Sequence, residues 1–113
     1  MYKSLQKNYQ FGIVYKKGKS YANKNLVMYV LPTKKEDNFF GLSVSKKVGK
    51  AVTRNRVRRL IRECLRLQCS KYKKGHDIVI IARVDAAGKS FAEIKSSINN
   101  LIKRHDIALK ARQ

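Results

Sequence analysis

Between residues 45 and 66, nine side chains are Lys or Arg and one is acidic. That composition suits phosphate. Arg54, Arg58 and Arg62 recur at i, i+4 and i+8, and Arg59, Arg62 and Arg66 at i, i+3 and i+7, so on a helix they form two rows. A guanidinium fork matches two phosphate oxygens, and its plane can stack on a base. A helix face that only keeps a protein in solution mixes both signs at i, i+4; here Glu63 alone does so. A membrane-surface helix is disfavoured, because Trp is absent and the apolar stripe, flanked by the first row, is needed for a core. Lys46, Lys47 and Lys50 lie ahead of the helix beside Gly49, where ammonium groups and free backbone amides suit an RNA phosphate. The Gly49-Lys50 pair is not a nucleotide-hydrolysing phosphate loop. Val44 stands where the first glycine is required, and Ala51 where a hydroxyl must hold the metal.

The aromatics supply a second chemistry. Phe11 and Tyr15 share a helix face at i, i+4, and Tyr29 points from a strand between Val27 and Leu31 on the same face. Single-stranded RNA is held by such rings combined with cations. For Phe11 two roles stay open, a cleft wall or packing for its own helix.

Hydrolytic equipment is missing by the same reading. The seven acids, Glu36, Asp37, Glu63, Asp77, Asp85, Glu93 and Asp106, form no clustered motif. His76 follows Gly75 in a predicted loop; His105 falls late in the last helix, where a cation would favour the dipole. Neither has a partner motif. Cys64 and Cys69 are placed on one helix with Cα atoms roughly 8 Å apart, too far for a disulfide. Their spacing to the histidines matches no zinc pattern, so free thiols are expected.

The whole chain explains what these residues answer to. It carries 27 Lys and Arg against 7 Asp and Glu, a formal charge of +20. Such an excess repels itself and calls for a polyanion; small neutral metabolites are excluded as substrates. At 113 residues, a single RNA-binding domain over 1–113 is expected. No apolar stretch is long enough to span a bilayer. The first seven residues lack a signal-peptide core, so a cytoplasmic location is expected.

The elements that must position the two chemistries follow from periodicity. Residues 8–17 read as a helix, capped by Asn8 and closed by Gly18, with Gly12 as a weak point inside it. Residues 20–22 and 26–31 read as strands, with Leu26, Met28 and Val30 toward the core. Residues 39–45 read as the hairpin partner of 26–31. Residues 53–71 take a 3.6 period, with Thr53 as cap and Val57, Leu60, Ile61, Cys64, Leu65 and Gln68 in one stripe. Residues 78–82 are a continuous apolar run, expected deep in a sheet. Ser90 and Glu93 form a capping box ahead of Phe91, Ile94, Ile98, Leu101 and Ile102. The order α-β-β-β-α-β-α predicts an α/β (α+β) two-layer sandwich.

Ser45-Lys46-Lys47-Val48-Gly49-Lys50-Ala51-Val52, followed by Arg54-Asn55-Arg56-Val57-Arg58-Arg59-Leu60-Ile61-Arg62-Glu63, resembles the RNR signature of the bacterial ribonuclease P protein component. Phe11 with Tyr15 and Gly18, Ala22-Asn23, Val27 with Tyr29, and 77–83 fall in that family's order, so the resemblance covers nearly the whole chain. Tyr15 departs mildly, standing where Phe is usual. The C-terminal Lys110-Ala111-Arg112-Gln113 adds no long basic tail. The resemblance implies a ribosomal-protein-S5-domain-2-like fold with a left-handed β-α-β crossover. It implies an RNA subunit that carries the active site and removes the 5′ leader of precursor tRNA. The protein itself would have no catalytic residue and be inactive alone. The RNR residues Lys46, Lys47, Lys50, Arg54, Asn55, Arg56, Arg58, Arg59 and Arg62 would then bind the catalytic RNA, and Phe11, Tyr15 and Tyr29 the leader. Mg²⁺ would serve the holoenzyme, held mainly by RNA and not tightly by the protein. The partners would be the catalytic RNA and precursor tRNA, with no membrane and no obligate protein partner. The alternative is a ribosomal or other structural RNA-binding protein without leader specificity, which would not require the three aromatics on one surface.

Overall fold

The computed structural model describes residues 2–109, so the C-terminal run 110–113 lies outside the described residues. The elements are α1 (Asn8–Lys17), β1 (Lys19–Ala22), β2 (Leu26–Pro32), β3 (Phe39–Ser43), α2 (Ala51–Gln68), β4 (His76–Ala82) and α3 (Phe91–Arg104). The mixed α/β class and the order α-β-β-β-α-β-α stand as read from the sequence.

The sheet runs β1-β2-β4-β3. β1 pairs antiparallel with β2, and β2 with β4, whereas β3 pairs parallel with β4. The expected hairpin between residues 26–31 and 39–45 is therefore corrected: β4 lies between those strands, and the hairpin is β1–β2. The reason is apolar content. Ile78, Val79 and Ile80 are each fully buried, so β4 needs cover on both faces and takes an interior position. Skipping one strand moves the chain only about 10 Å sideways, which the connection after β2 spans easily. A parallel β3–β4 pair needs a long crossover, and α2 provides it.

The helices divide between the two faces. Leu26, Met28, Val30, Phe40, Ile78 and Ile80 meet the predicted stripe of α2 and the apolar face of α3. On the opposite face Val79 packs with Leu5 and with Val14 of α1, bordered by Phe11, Tyr29, Leu31, Phe39 and Ile81. The two-layer description thus holds for the main core, with α1 as a partial third layer. α1 is only 10 residues long and buries Val14 alone. It covers part of its face and leaves the rest open.

The helix ends show which local signals won. At α3, Glu93 N–H donates to Ser90 Oγ at 3.2 Å, and Ser90 N–H to Glu93 Oε1 at 3.0 Å, as the capping box requires. At α1 the cap position falls on Lys7 rather than Asn8, and Gln10 Oε1 accepts from the N–H groups of Gln6 and Lys7, each at 3.0 Å. Gly18 is extended, not left-handed. It is needed for space, since a Cβ there would sit 2.6 Å from the Val14 carbonyl oxygen. α2 begins at Ala51, before the expected Thr53 cap, with Lys50 in the cap position. Gly49, at φ 153°, makes the entry bend, and Thr53 closes over it.

The titratable groups set aside as non-catalytic have structural jobs. His76 opens β4 rather than lying in the loop, and its Nδ1 is 3.0 Å from the Lys73 carbonyl oxygen. His105 caps α3, and its Nε2 donates to the Met28 carbonyl at 2.9 Å. Burial holds the His105 pKa below its ordinary value, aided by Lys19 and Arg104 and opposed by the Met28 hydrogen bond. The expected cation at the helix end is thus disfavoured. With a folded-state pKa below the unfolded value, the unfolded state binds the proton first, so stability falls as pH drops below about 6.5. His105→Gln, which keeps an N–H donor, should flatten that acid limb. Thermal melts of both proteins from pH 7.5 to 5 check this. Cys64 is buried and Cys69 partly so; both are free, and burial raises the Cys64 thiol to about 11.

Candidate nucleic-acid interface

α2 lays its stripe on the sheet, so its remaining faces project. Arg59, Arg62 and Arg66 are exposed, as the second row predicts. The first row is less uniform. Arg62 is exposed, but Arg58 is half-buried: Nη1 donates to Asn55 Oδ1 at 3.1 Å and Nη2 to the Val44 carbonyl at 3.3 Å. Arg58 therefore ties α2 to the end of β3 and is fixed in place by doing so. Arg54 is half-buried, and its Nε is buried without a hydrogen-bond partner. Arg56 turns away, donating to the Lys89 carbonyl at 2.9 Å and pinning the segment before α3. Lys46, Lys47, Lys50 and Asn55 are exposed at or near the start of α2.

The aromatics come together on the other side of β3. Phe11 and Tyr15 lie tilted with centroids 6.5 Å apart, and Tyr15 meets Tyr29 edge-on at 5.1 Å. Tyr15 is the exposed member and Tyr29 backs it. Phe11 plays both of the roles left open. Its ring lies flat enough on β3 that a Cβ at Gly41 would sit 2.6 Å from its Cζ, and it also walls a groove. Glycine at 41 is thus a space requirement of the ring.

That groove joins the two chemistries. One stretch is walled by Asn8, Phe11, Gly12, Tyr15, Leu42 and Ser43. The adjoining stretch shares Phe11 and Leu42 and continues past Tyr2, Ser4 and Leu5 to Arg58 and Arg62. Stacking rings at one end thus lead to guanidinium groups at the other, between α1, β3 and α2. Sequence reasoning missed Leu42, Ser43, Tyr2 and Ser4, because nothing local marks them. Gly12 did carry a signal, a glycine inside a helix. A Cβ there would meet nothing within 4 Å, so the residue keeps the groove wall low.

Among the described residues, no three His, Cys, Asp or Glu side chains gather as a metal site. No described helix is long and apolar enough to cross a membrane.

Comparison with known proteins bears on the family and the fold. The family model "Ribonuclease P" matches residues 2–106. The "Ribonuclease P protein component" of Clostridioides difficile (strain 630) is 56% identical over 108 residues, 95% of each chain. That of Lachnoclostridium phytofermentans is 52% identical over 107 residues, 95% of this chain and 92% of the relative. Among solved structures, the Staphylococcus aureus RNase P protein superimposes with a TM-score of 0.88 at 35% identity, covering 96% of this chain and 99% of that one. The Thermotoga maritima protein gives 0.82 at 30% identity, covering 90% and 96%. With the family model matched over residues 2–106, relatives more than 50% identical over most of their length and a shared fold, the chain belongs to the ribonuclease P protein component family.

Proposed function

We propose that the protein is the RNA-anchoring and leader-binding subunit of a ribonucleoprotein that removes the 5′ leader of precursor tRNA. The observation that carries this reading is a pair of adjoining hollows that share Phe11 and Leu42, one walled by Tyr15 and the other by Arg58 and Arg62. The ridge of α2, with Lys46, Lys47 and Lys50, would hold phosphates of the catalytic RNA. The groove would hold the single-stranded leader by stacking and by cations. A structural RNA-binding protein would need the ridge but not the groove.

The division of labour follows from the side chains. Hydrolysis by the protein would need a general base or a metal cluster beside the groove. The residues walling it are aromatic, apolar, hydroxyl, amide and guanidinium groups. Cleavage and Mg²⁺ are therefore assigned to the RNA, and the protein contributes binding and orientation.

The experiment is reconstitution. RNA-free protein with Mg²⁺ should leave precursor tRNA intact, while adding a cognate catalytic RNA should release 5′-mature tRNA. Cleavage at that site by the protein alone, surviving further purification, would overturn the assignment.

A further inference from the structure

The edge of the sheet farthest from the groove carries a second set of fixed cations. β1 and β3 are opposite edges, about 14 Å apart across three strand spacings. At the β1 edge, Arg104 of α3 donates from Nη1 to the Ala22 carbonyl at 2.7 Å. Arg83, just past β4, donates from Nη1 to the Asn23 carbonyl at 2.9 Å. These carbonyls are consecutive, so two guanidinium groups converge on one short connection between β1 and β2.

That connection is itself held rigid. Asn23 Nδ2 donates to the Ser97 carbonyl at 3.0 Å and to Asn100 Oδ1 at 3.2 Å. Its Oδ1 accepts from the N–H groups of Asn25 and Leu26. Asn25 Nδ2 donates to Ser97 Oγ at 2.8 Å. Around this platform Lys24 is exposed at the tip. The Lys19 Nζ and Arg104 Cζ atoms lie 4.9 and 4.7 Å from the Tyr21 ring centroid.

None of these charges is compensated. Among the described residues the ion pairs are Lys3–Asp37 and Lys35–Asp77, both elsewhere. Both guanidinium groups are exposed, and each adds to the repulsion of a chain of +20, a cost that a bound polyanion removes. Each guanidinium spends one N–H on a carbonyl and is oriented by it, leaving the rest of its fork free. A pair of pre-oriented, unpaired forks beside exposed lysines fits phosphodiester oxygens.

We propose that Arg83, Arg104, Lys19 and Lys24 form a second RNA-backbone site, which grips a phosphodiester segment distinct from the one on α2. The inference rests on the RNA-binding reading above and extends it. With cations fixed at both sheet edges, the protein clamps two RNA segments and sets their separation, rather than decorating one.

The test is a salt titration of the protein on the catalytic RNA, without tRNA. Arg83→Gln with Arg104→Gln removes both charges; each amide donor ends two bonds short of the Nη that bonds the carbonyl. Each released counterion is worth roughly a factor of five at 0.15 M salt. The double variant should therefore bind about 30-fold more weakly, with the slope of log K against log[salt] reduced by about two. Its melting temperature is measured alongside. Lys24→Gln, whose side chain makes no hydrogen bond among the described residues, should lose about fivefold even if the arginine variant melts early. Arg83→Lys with Arg104→Lys should restore the slope. Wild-type affinity and slope in both Gln variants would overturn the second site. An Arg62→Ala control in the same titration separates the two readings. If it weakens binding while the Gln variants do not, only the second site fails; if none of the variants weakens binding, the RNA-binding reading fails with it.

Discussion

Replacing Arg58 and Arg62 together by alanine is expected to weaken binding of the catalytic RNA by about 3–5 kcal/mol, two charge-assisted hydrogen bonds' worth. It should also lower the salt slope by about two. The two residues differ in what else they lose. Arg62 is exposed, and its removal should leave folding nearly unchanged. Arg58 also gives up its bond to the Val44 carbonyl, costing about 0.5–1.5 kcal/mol of stability. The singles should therefore weaken RNA binding comparably but melt differently, with Arg58→Ala the lower. Arg58→Lys is the informative companion. One ammonium replaces a fork that bonds Asn55 and Val44 and still presents a free edge, so charge returns without orientation. It should recover most of the salt slope and only part of the affinity. Titration of the four proteins over a potassium chloride series, with melts at each end, reads all of this. An unchanged slope in the double variant would remove these arginines from the RNA interface.

Tyr15→Ala should weaken precursor tRNA binding by the holoenzyme by about 1–3 kcal/mol, the usual loss for one stacked base. Binding of mature tRNA should hardly change, because it lacks the leader that the groove is proposed to hold. Tyr15 is the cleaner site for this test than Tyr29. Its ring is exposed on the groove wall, whereas Tyr29 packs edge-on behind it and borders the small core under α1. Tyr29→Ala should show the same leader dependence plus a drop in melting temperature, since it removes both a support and a packed ring. Gly12→Leu approaches the site from the other side. A Cβ there meets nothing within 4 Å, so a longer side chain starts in open space at the groove wall. It should leave precursor binding weaker while the helix itself gains, because glycine inside a helix costs about 1 kcal/mol relative to alanine. Titrations of precursor and mature tRNA at one fixed salt and Mg²⁺ concentration give the discriminating ratio. Equal losses for both tRNAs with Tyr15→Ala would assign the ring to assembly rather than to the leader.

Much of the fold was legible in the residues because the signals were local. The stripe Val57, Leu60, Ile61, Cys64, Leu65 and Gln68 is the buried face of α2, residue for residue. A 3.6 period over 18 residues has few other ways to bury itself. The capping box at Ser90 is made within four residues of chain, and it formed. The inward set Leu26, Met28 and Val30 followed from alternation alone. Where one local signal failed, a competing contact outranked it. Gly18 answers to the Val14 and Val30 backbones rather than to a left-handed helix end. The cap at Asn8 gave way to Gln10 reaching back to Gln6 and Lys7.

What the sequence by itself determined was the chemistry on offer: a polycationic chain with arginines in rows and three aromatics. Those are properties of residue type and short spacing, which survive any arrangement of the elements. The tertiary structure alone decided that β4 separates β2 from β3, because strand order is settled by competition among apolar faces for the interior. It alone placed α1 across the sheet from α2 and laid Phe11 on Gly41. It alone brought Leu42 and Ser4 to line a channel with Arg58, residues far apart in sequence with nothing in their types to announce it. A groove is the space between elements, so no single segment of chain encodes it. It exists only once α1, β3 and α2 have been packed at their final distances.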